Sequence, residues 1–516
     1  MAQYSPQNQP TYPPPQQQQI YGGGQAPPSY DYQAASTNEK FNRNEKTFEE
    51  QFKVEKPKWN DIWALVFFLG IVAGFCVVSG ITINGYSKNH SFFGGTIYGG
   101  AESFSLNTNT IILLGFDVVI ALVLSVLYFW MARIFTKQFI WITGILNVVL
   151  GFATAIYYFA EHYYSAAITF LIFAVMGALA FFSFIKRIPF ATLILQTIMD
   201  VTKSQPSVLG VSLIGTLVVA AFGAWFSVTL VATYARYNPT VDNPNCSSSG
   251  SGGCSHATLI GLIVFITFCG YYITEVIKNI IHTTIAGVYG SWYFCSRSIE
   301  GMPRFPALGA FKRSMTYSLG SISFGSLIVS VIQLLQQLAG WGEQAARQND
   351  NIIAVALICV LRFFIMFLQW AVQFFNHYAY CYIALYGSAY IPAAKETWKM
   401  LKDRGFDALA NDCLIDPVFN LGAQFVGYVS ALFAYLYLTY TKPAYNDGGN
   451  YNAPVVAFAF VMGLQICSIG GTPIKSGAAT FFTAMARDPE VLRMSYPELY
   501  NEIARLYPHV MQAVHS

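Results

Sequence analysis

Ten stretches of more than twenty residues, each nearly free of charge, decide what this chain can fold into. They lie at about 62–84, 110–133, 138–160, 164–185, 207–235, 257–281, 315–340, 352–375, 416–440 and 453–475. A helix needs about 20 apolar residues to cross the roughly 30 Å hydrocarbon core of a bilayer. No water there can pair with exposed backbone groups, so the helix must satisfy its own. The composition agrees: 54% of residues are hydrophobic and 11% charged, against about 25% charged in soluble domains. The expected fold class is an all-α polytopic membrane protein of about ten transmembrane helices. Both termini are expected in the cytoplasm, the first behind a disordered tail.

Charge placement sets that orientation. Of the 29 Lys and Arg, all but Lys88, Arg236, Lys278, Arg347, Arg362 and Lys442 fall on the side of the amino terminus. Short loops rich in Lys and Arg stay cytoplasmic. An extra crossing at Thr283–Phe294 would carry Arg304, Lys312 and Arg313 to the far side, so that segment is not expected to turn back. The first 60 residues are polar and contain no signal-peptide core. The sequons at Asn89 and Asn245 fall in predicted outer loops, which marks both as glycosylation acceptors. So do Cys246 and Cys254, in the loop NPNCSSSGSGGCSH, where a short disulfide is favoured because no CxxC or His pairing supports zinc. A net charge of +3 makes no case for a nucleic-acid partner.

The chain divides into three regions. Residues 1–58 form a Pro/Gln-rich cytoplasmic tail that cannot bury enough apolar surface to offset ordering entropy. Residues 59–480 hold the spans, and 481–516 form a cytoplasmic C-terminal tail. Within the first tail, Pro27-Pro28-Ser29-Tyr30 has the PPxY form that WW domains bind, with Lys40, Lys46, Lys53 and Lys56 downstream as ubiquitin acceptors. Segment 188–204 mixes apolar and polar residues after Lys186-Arg187 and reads as an interfacial amphipathic helix.

Polar residues inside the spans carry the functional reading. An ionisable residue in a lipid-spanning helix costs roughly 2.5–3.5 kcal/mol on insertion scales, so it faces protein or a water-filled cavity. In the stretch Phe268–Arg313, Glu275, Lys278, Asn279 and His282 fall at i, i+3, i+4 and i+7, on one helical face. Two readings stand: the stripe lines a pathway, or Glu275 and Lys278 neutralise each other and glue helices together. In the eighth span Arg362, Gln369, Gln373 and Asn376 share a face. Asp117 lies in the second span, and Asp117 or Glu275 is the expected partner of Arg362. Tyr271, Tyr272, Tyr289, Trp292 and Tyr293 accompany the first stripe, and Trp370, Tyr378, Tyr380 and Tyr382 the second. They form an interfacial belt or a cage for an organic cation, whose attraction to each ring face is roughly 0.5–2 kcal/mol.

The runs VIKNIIHTTIAGVYGSWYF (276–294), FNHYAYCYIALYGSAYIPAAKETWKML (375–401) and KRIPFATLILQ (186–196) resemble the choline transporter-like family. The Pro-rich tail, PKWNDIWALVFF (57–68) and RDPEVLRMSYPELY (487–500) look like its fungal branch, the pH-nine-sensitive (Pns) proteins. The resemblance runs from about Lys56 to the end. It implies a ten-span plasma-membrane protein, glycosylated on its first outer loop, that moves choline or a related small organic cation by facilitated diffusion or exchange. One run departs: Gly470-Gly471-Thr472-Pro473, whose Pro is expected to break the last span.

Three function classes compete. A transporter would use Asp117, Tyr271, Glu275, Asn279, His282, Trp292, Arg362, Trp370, Asn376 and Tyr378 along its pathway. A scaffold or ubiquitin-ligase adaptor would act through the PPxY tail. A lipid-modifying enzyme would use His282 or Asn376-His377 as base, but no nucleophile elbow accompanies them. No GxxxxGKS/T phosphate loop, cofactor motif or metal cluster is present.

Overall fold

The computed structural model describes residues 58–89, 108–160, 162, 164–237, 255–298, 301–349, 351–441 and 452–506. Every regular element among them is helical. In chain order these are α1 (Ile62–Asn89), α2 (Thr108–Ile134), α3 (Thr136–Ala160), α4 (Tyr164–Phe184), α5 (Ile188–Ser204), α6 (Ser207–Tyr237) and α7 (His256–Cys295). Then come α8 (Pro306–Met315), α9 (Leu319–Gln348), α10 (Ile352–Tyr386), α11 (Tyr390–Thr441), α12 (Asn452–Arg487), α13 (Pro489–Ser495) and α14 (Pro497–Leu506). Among the described residues, ten helices are long and apolar enough to cross a membrane. The sequons beyond Asn89 itself, which closes α1, lie outside the described residues, as do Asn245, Cys246, Cys254, Pro27, Pro28 and Tyr30.

The fourth apolar stretch runs on from Ala174 to Ser204, but a 3-10 turn at Ile185–Arg187 cuts it. The helix after that turn, α5, does not cross. It starts where α4 ends, its Asp200 pairs with Arg133 at the end of α2, and α6 begins three residues after it. All three anchors lie at the face of the bundle where α1 begins, here the near face. The apolar side of α5 (Ile188, Phe190, Ile194, Leu195, Ile198) is buried in the main core against α3, α11 and α12. It therefore covers protein as well as lying along the surface.

At 40 residues, α7 is one unbroken helix of about 60 Å. It passes through Gly287 and Gly290 without turning back and carries Tyr289 and Phe294 into the core beyond the span. Along α10 the opposite holds. Residues such as Ile353, Leu357, Phe364 and Phe367 are exposed, an apolar surface of the kind that lipid covers. Only its last third, from Asn376 to Leu385, is buried.

The expected break at Pro473 does not occur: α12 runs through it to Arg487. A helical Pro removes the bond its N–H would give to the carbonyl four residues back. Here that carbonyl belongs to Ile469, and the Ser212 hydroxyl of α6 donates to it at 2.8 Å. A neighbouring side chain supplies what the backbone lacks, as transmembrane prolines require.

Candidate polar path between three helices

The first stripe on α7 turns inward. Glu275 is 9% exposed and His282 7%, although Lys278 between them remains exposed. Their partners on other helices come from α9, α10 and α12. Gln333 donates to Glu275 Oε1 at 3.0 Å, with Lys278 Nζ 3.6 Å from the same oxygen. Both readings of the stripe thus survive: Glu275 Oε1 is ion-paired with Lys278 and accepts a hydrogen bond from the Gln333 amide. One turn along, Asn279 donates to the Ser326 hydroxyl at 2.9 Å. The Tyr380 hydroxyl donates to the Ile322 carbonyl at 3.2 Å and lies 3.5 Å from Asn279.

Asn376, the end of the second stripe, donates to the Gly325 carbonyl at 3.1 Å and accepts from the Tyr390 hydroxyl at 2.6 Å. Tyr380 and Tyr390 press on α9 so closely that a side chain at Gly325 would strike both rings. A left-handed Gly387 (φ +63°) ends α10 and turns the chain into α11. This corner is latched by the residues before α1. Asp61 accepts from the Tyr390 backbone N–H (2.8 Å) and the Ser321 hydroxyl (2.7 Å), and Asn60 donates to the Gly387 carbonyl at 2.8 Å. Asp61 holds a positive φ of 51° to do so. Through Tyr390, the start of the first span is tied to Asn376.

His282 packs its ring on His377, centroids 4.2 Å apart and 21° from parallel. Its Nε2 lies 2.9 Å from the His377 carbonyl, which can only accept, so Nε2 carries hydrogen. In the neutral ring Nδ1 then accepts from the Ser476 hydroxyl at 2.8 Å. With both nitrogens satisfied, His282 joins α7, α10 and α12, the role of a core histidine.

Toward the far face, a cavity of about 620 Å³ opens between α7, α9 and α10. Tyr271, Trp341, Glu343, Arg347, Arg362 and five glutamines (333, 336, 337, 344, 369) line it. The Tyr271 hydroxyl donates to Gln337 at 3.3 Å. Arg362 is not paired with Asp117 or Glu275: it donates to Glu343, which Arg347 also holds at 2.6 Å. Glu343 enters from outside the predicted span because α9 continues to Gln348.

Four other expected pathway residues lie apart from this column. Asp117 is fully buried and neighbours Ser430 across the α2–α11 contact, and neither side chain reaches hydrogen-bond distance of a partner among the described residues. Trp370 is half exposed and stacks on Phe374. Tyr378 is core, against Phe374 and Phe482. Trp292 stacks on Tyr496 at the near face, 5.0 Å between centroids. Unforeseen was the third wall. Ser326, Ser330, Gln333, Gln337 and Gln344 recur at helical spacing on one face of α9, a pattern legible in the sequence but made only of uncharged groups.

A family model described as plasma-membrane choline transporter matches residues 168–490. The chain belongs to the choline transporter-like family. Protein PNS1 of Yarrowia lipolytica is 53% identical over 482 residues, 93% of this chain and 83% of the relative. Protein PNS1 of Candida albicans is 50% identical over 470 residues, covering 91% and 90%. That of Saccharomyces cerevisiae is 45% identical over 532 aligned residues, 98% of each chain. Family membership supports a membrane protein of transporter type; it does not by itself name a substrate.

Proposed function

We propose that this protein moves choline or a related small organic cation across the plasma membrane, by facilitated diffusion or exchange, with both termini in the cytoplasm. The observation that carries the reading is Glu275. It is a nearly buried carboxylate held by Gln333, a wall residue of the polar cavity that Tyr271 and Trp341 also line. A carboxylate and ring faces together attract a quaternary ammonium without needing a proton donor on it. The column continues from Glu275 through Asn279, Ser326 and Tyr380 to Asn376, and the Asp61–Tyr390 latch closes it at the near face. With the cavity open toward the far face and this latch shut, the arrangement fits an outward-facing state. A negative-inside potential would draw a cation inward by about 2.3 kcal/mol per 100 mV.

Labelled choline uptake into vesicles containing the purified protein tests the reading. Uptake that rises with an inside-negative potential supports it, and none above protein-free vesicles refutes it. The PPxY tail, Pro27 to Tyr30, supports a second role as docking site for a WW-domain ubiquitin ligase. Deleting residues 1–50 would then leave uptake intact and abolish ligase binding.

A further inference from the structure

We propose that the cavity between α7, α9 and α10 is built for a zwitterion: an organic cation that also carries a phosphate or carboxylate. Its ammonium end would lie toward Glu275 and its anionic end toward Arg362. This deepens the cation reading above and rests on it. The cavity wall holds two guanidiniums and one carboxylate. Arg347 Nε and Nη2 both donate to Glu343 Oε1, at 3.0 and 2.6 Å, and Arg362 Nη1 donates to Oε2. Both oxygens of Glu343 are thereby used, and one positive charge is left over.

Guanidinium presents five N–H donors in a fork that matches carboxylate and phosphate oxygens. Arg362 spends one on Glu343, and its Nε is buried with no partner among the described residues. A bare cation arriving at this end meets surplus positive charge before it reaches Glu275. A ligand that brings its own anion meets free donors instead. The size agrees: at about 30 Å³ per water, 620 Å³ holds roughly twenty waters, more than a lone ammonium head displaces. Five glutamine amides can pair with a polar linker between the two charges.

The test uses the full chain in detergent or vesicles, with choline and phosphocholine as probes that share one ammonium head. Phosphocholine is expected to bind about tenfold tighter than choline, the worth of one charge-assisted hydrogen bond. Arg362→Gln should collapse that ratio to within about twofold of unity. Arg347→Gln, at an exposed position, should lower it too and serves if the first variant fails to fold. Phosphocholine binding no tighter than choline, or a ratio that both variants leave unchanged, overturns the proposal. Glu275→Gln separates the two readings. If it weakens choline while phosphocholine shows no advantage, the zwitterion site alone fails. If choline binding ignores Glu275, the cation reading fails as well.

Discussion

Removing the Ser212 hydroxyl should destabilise this protein more because Pro473 is there. In Ser212→Ala the Ile469 carbonyl loses the donor now at 2.8 Å, and Pro473 offers no N–H to replace it. Ser212 is 2% exposed, so water does not readily take over. An unsatisfied buried acceptor costs about 1–3 kcal/mol. Pro473→Ala restores a backbone donor to Ile469, and the same Ser212→Ala change should then cost about 0.5–1 kcal/mol, the net worth of an ordinary hydrogen bond. The four proteins form a double-mutant cycle with a coupling of about 0.5–2 kcal/mol. Thermal or denaturant melts of all four in one detergent measure it. Equal costs of Ser212→Ala in both backgrounds would refute the claim that α6 repairs the helix.

Single contacts elsewhere make further predictions. Gly470→Ala places a methyl group into the Phe129 ring and should cost about 1–3 kcal/mol by overpacking, whereas Gly471→Ala meets Phe419 at 3.4 Å and should be near neutral by melting. Asp61→Ala removes two hydrogen bonds to a carboxylate, each worth about 1.5–3 kcal/mol. It should raise the rate at which a cysteine placed at Ser326 is alkylated from the near face, and Asp61→Asn should raise it less. At the α12–α13 junction, burial raises the Asp488 carboxyl above its ordinary value, against the Tyr386 hydrogen bond and Arg487, which lower it. A raised folded-state pKa means this residue's contribution to stability is complete below the unfolded value and lost as pH rises through the folded one. Asp488→Asn keeps an acceptor for Tyr386, so its melting temperature relative to wild type should improve as pH climbs from about 4 to 7.

The ten helices are legible in the sequence because apolar length is a strong signal in a chain with so little charge. The two ionisable stripes are legible for the same reason: burying Glu275 and His282 is costly, so each position has to mean something. Asp117 meets the same test yet lies in a different helix contact, since periodicity gives a face and not the neighbour it meets. Glu343 escapes notice because hydropathy ends before the helix does. Gln333 and Ser326 do not stand out, because amides and hydroxyls at helical spacing are common and cheap to bury. Pro473 misleads because its remedy sits about 260 residues away in sequence, on Ser212. Asp61 and Asn60, at the mouth of the first span, give no local sign that they bind the α10–α11 corner.

The most direct test of the path is equilibrium binding of labelled choline to purified wild type and Glu275→Gln, at matched melting temperature. Loss of one carboxylate–cation contact predicts about a tenfold weaker Kd in the variant. Indistinguishable binding by the two folded proteins would contradict a route that runs past Glu275.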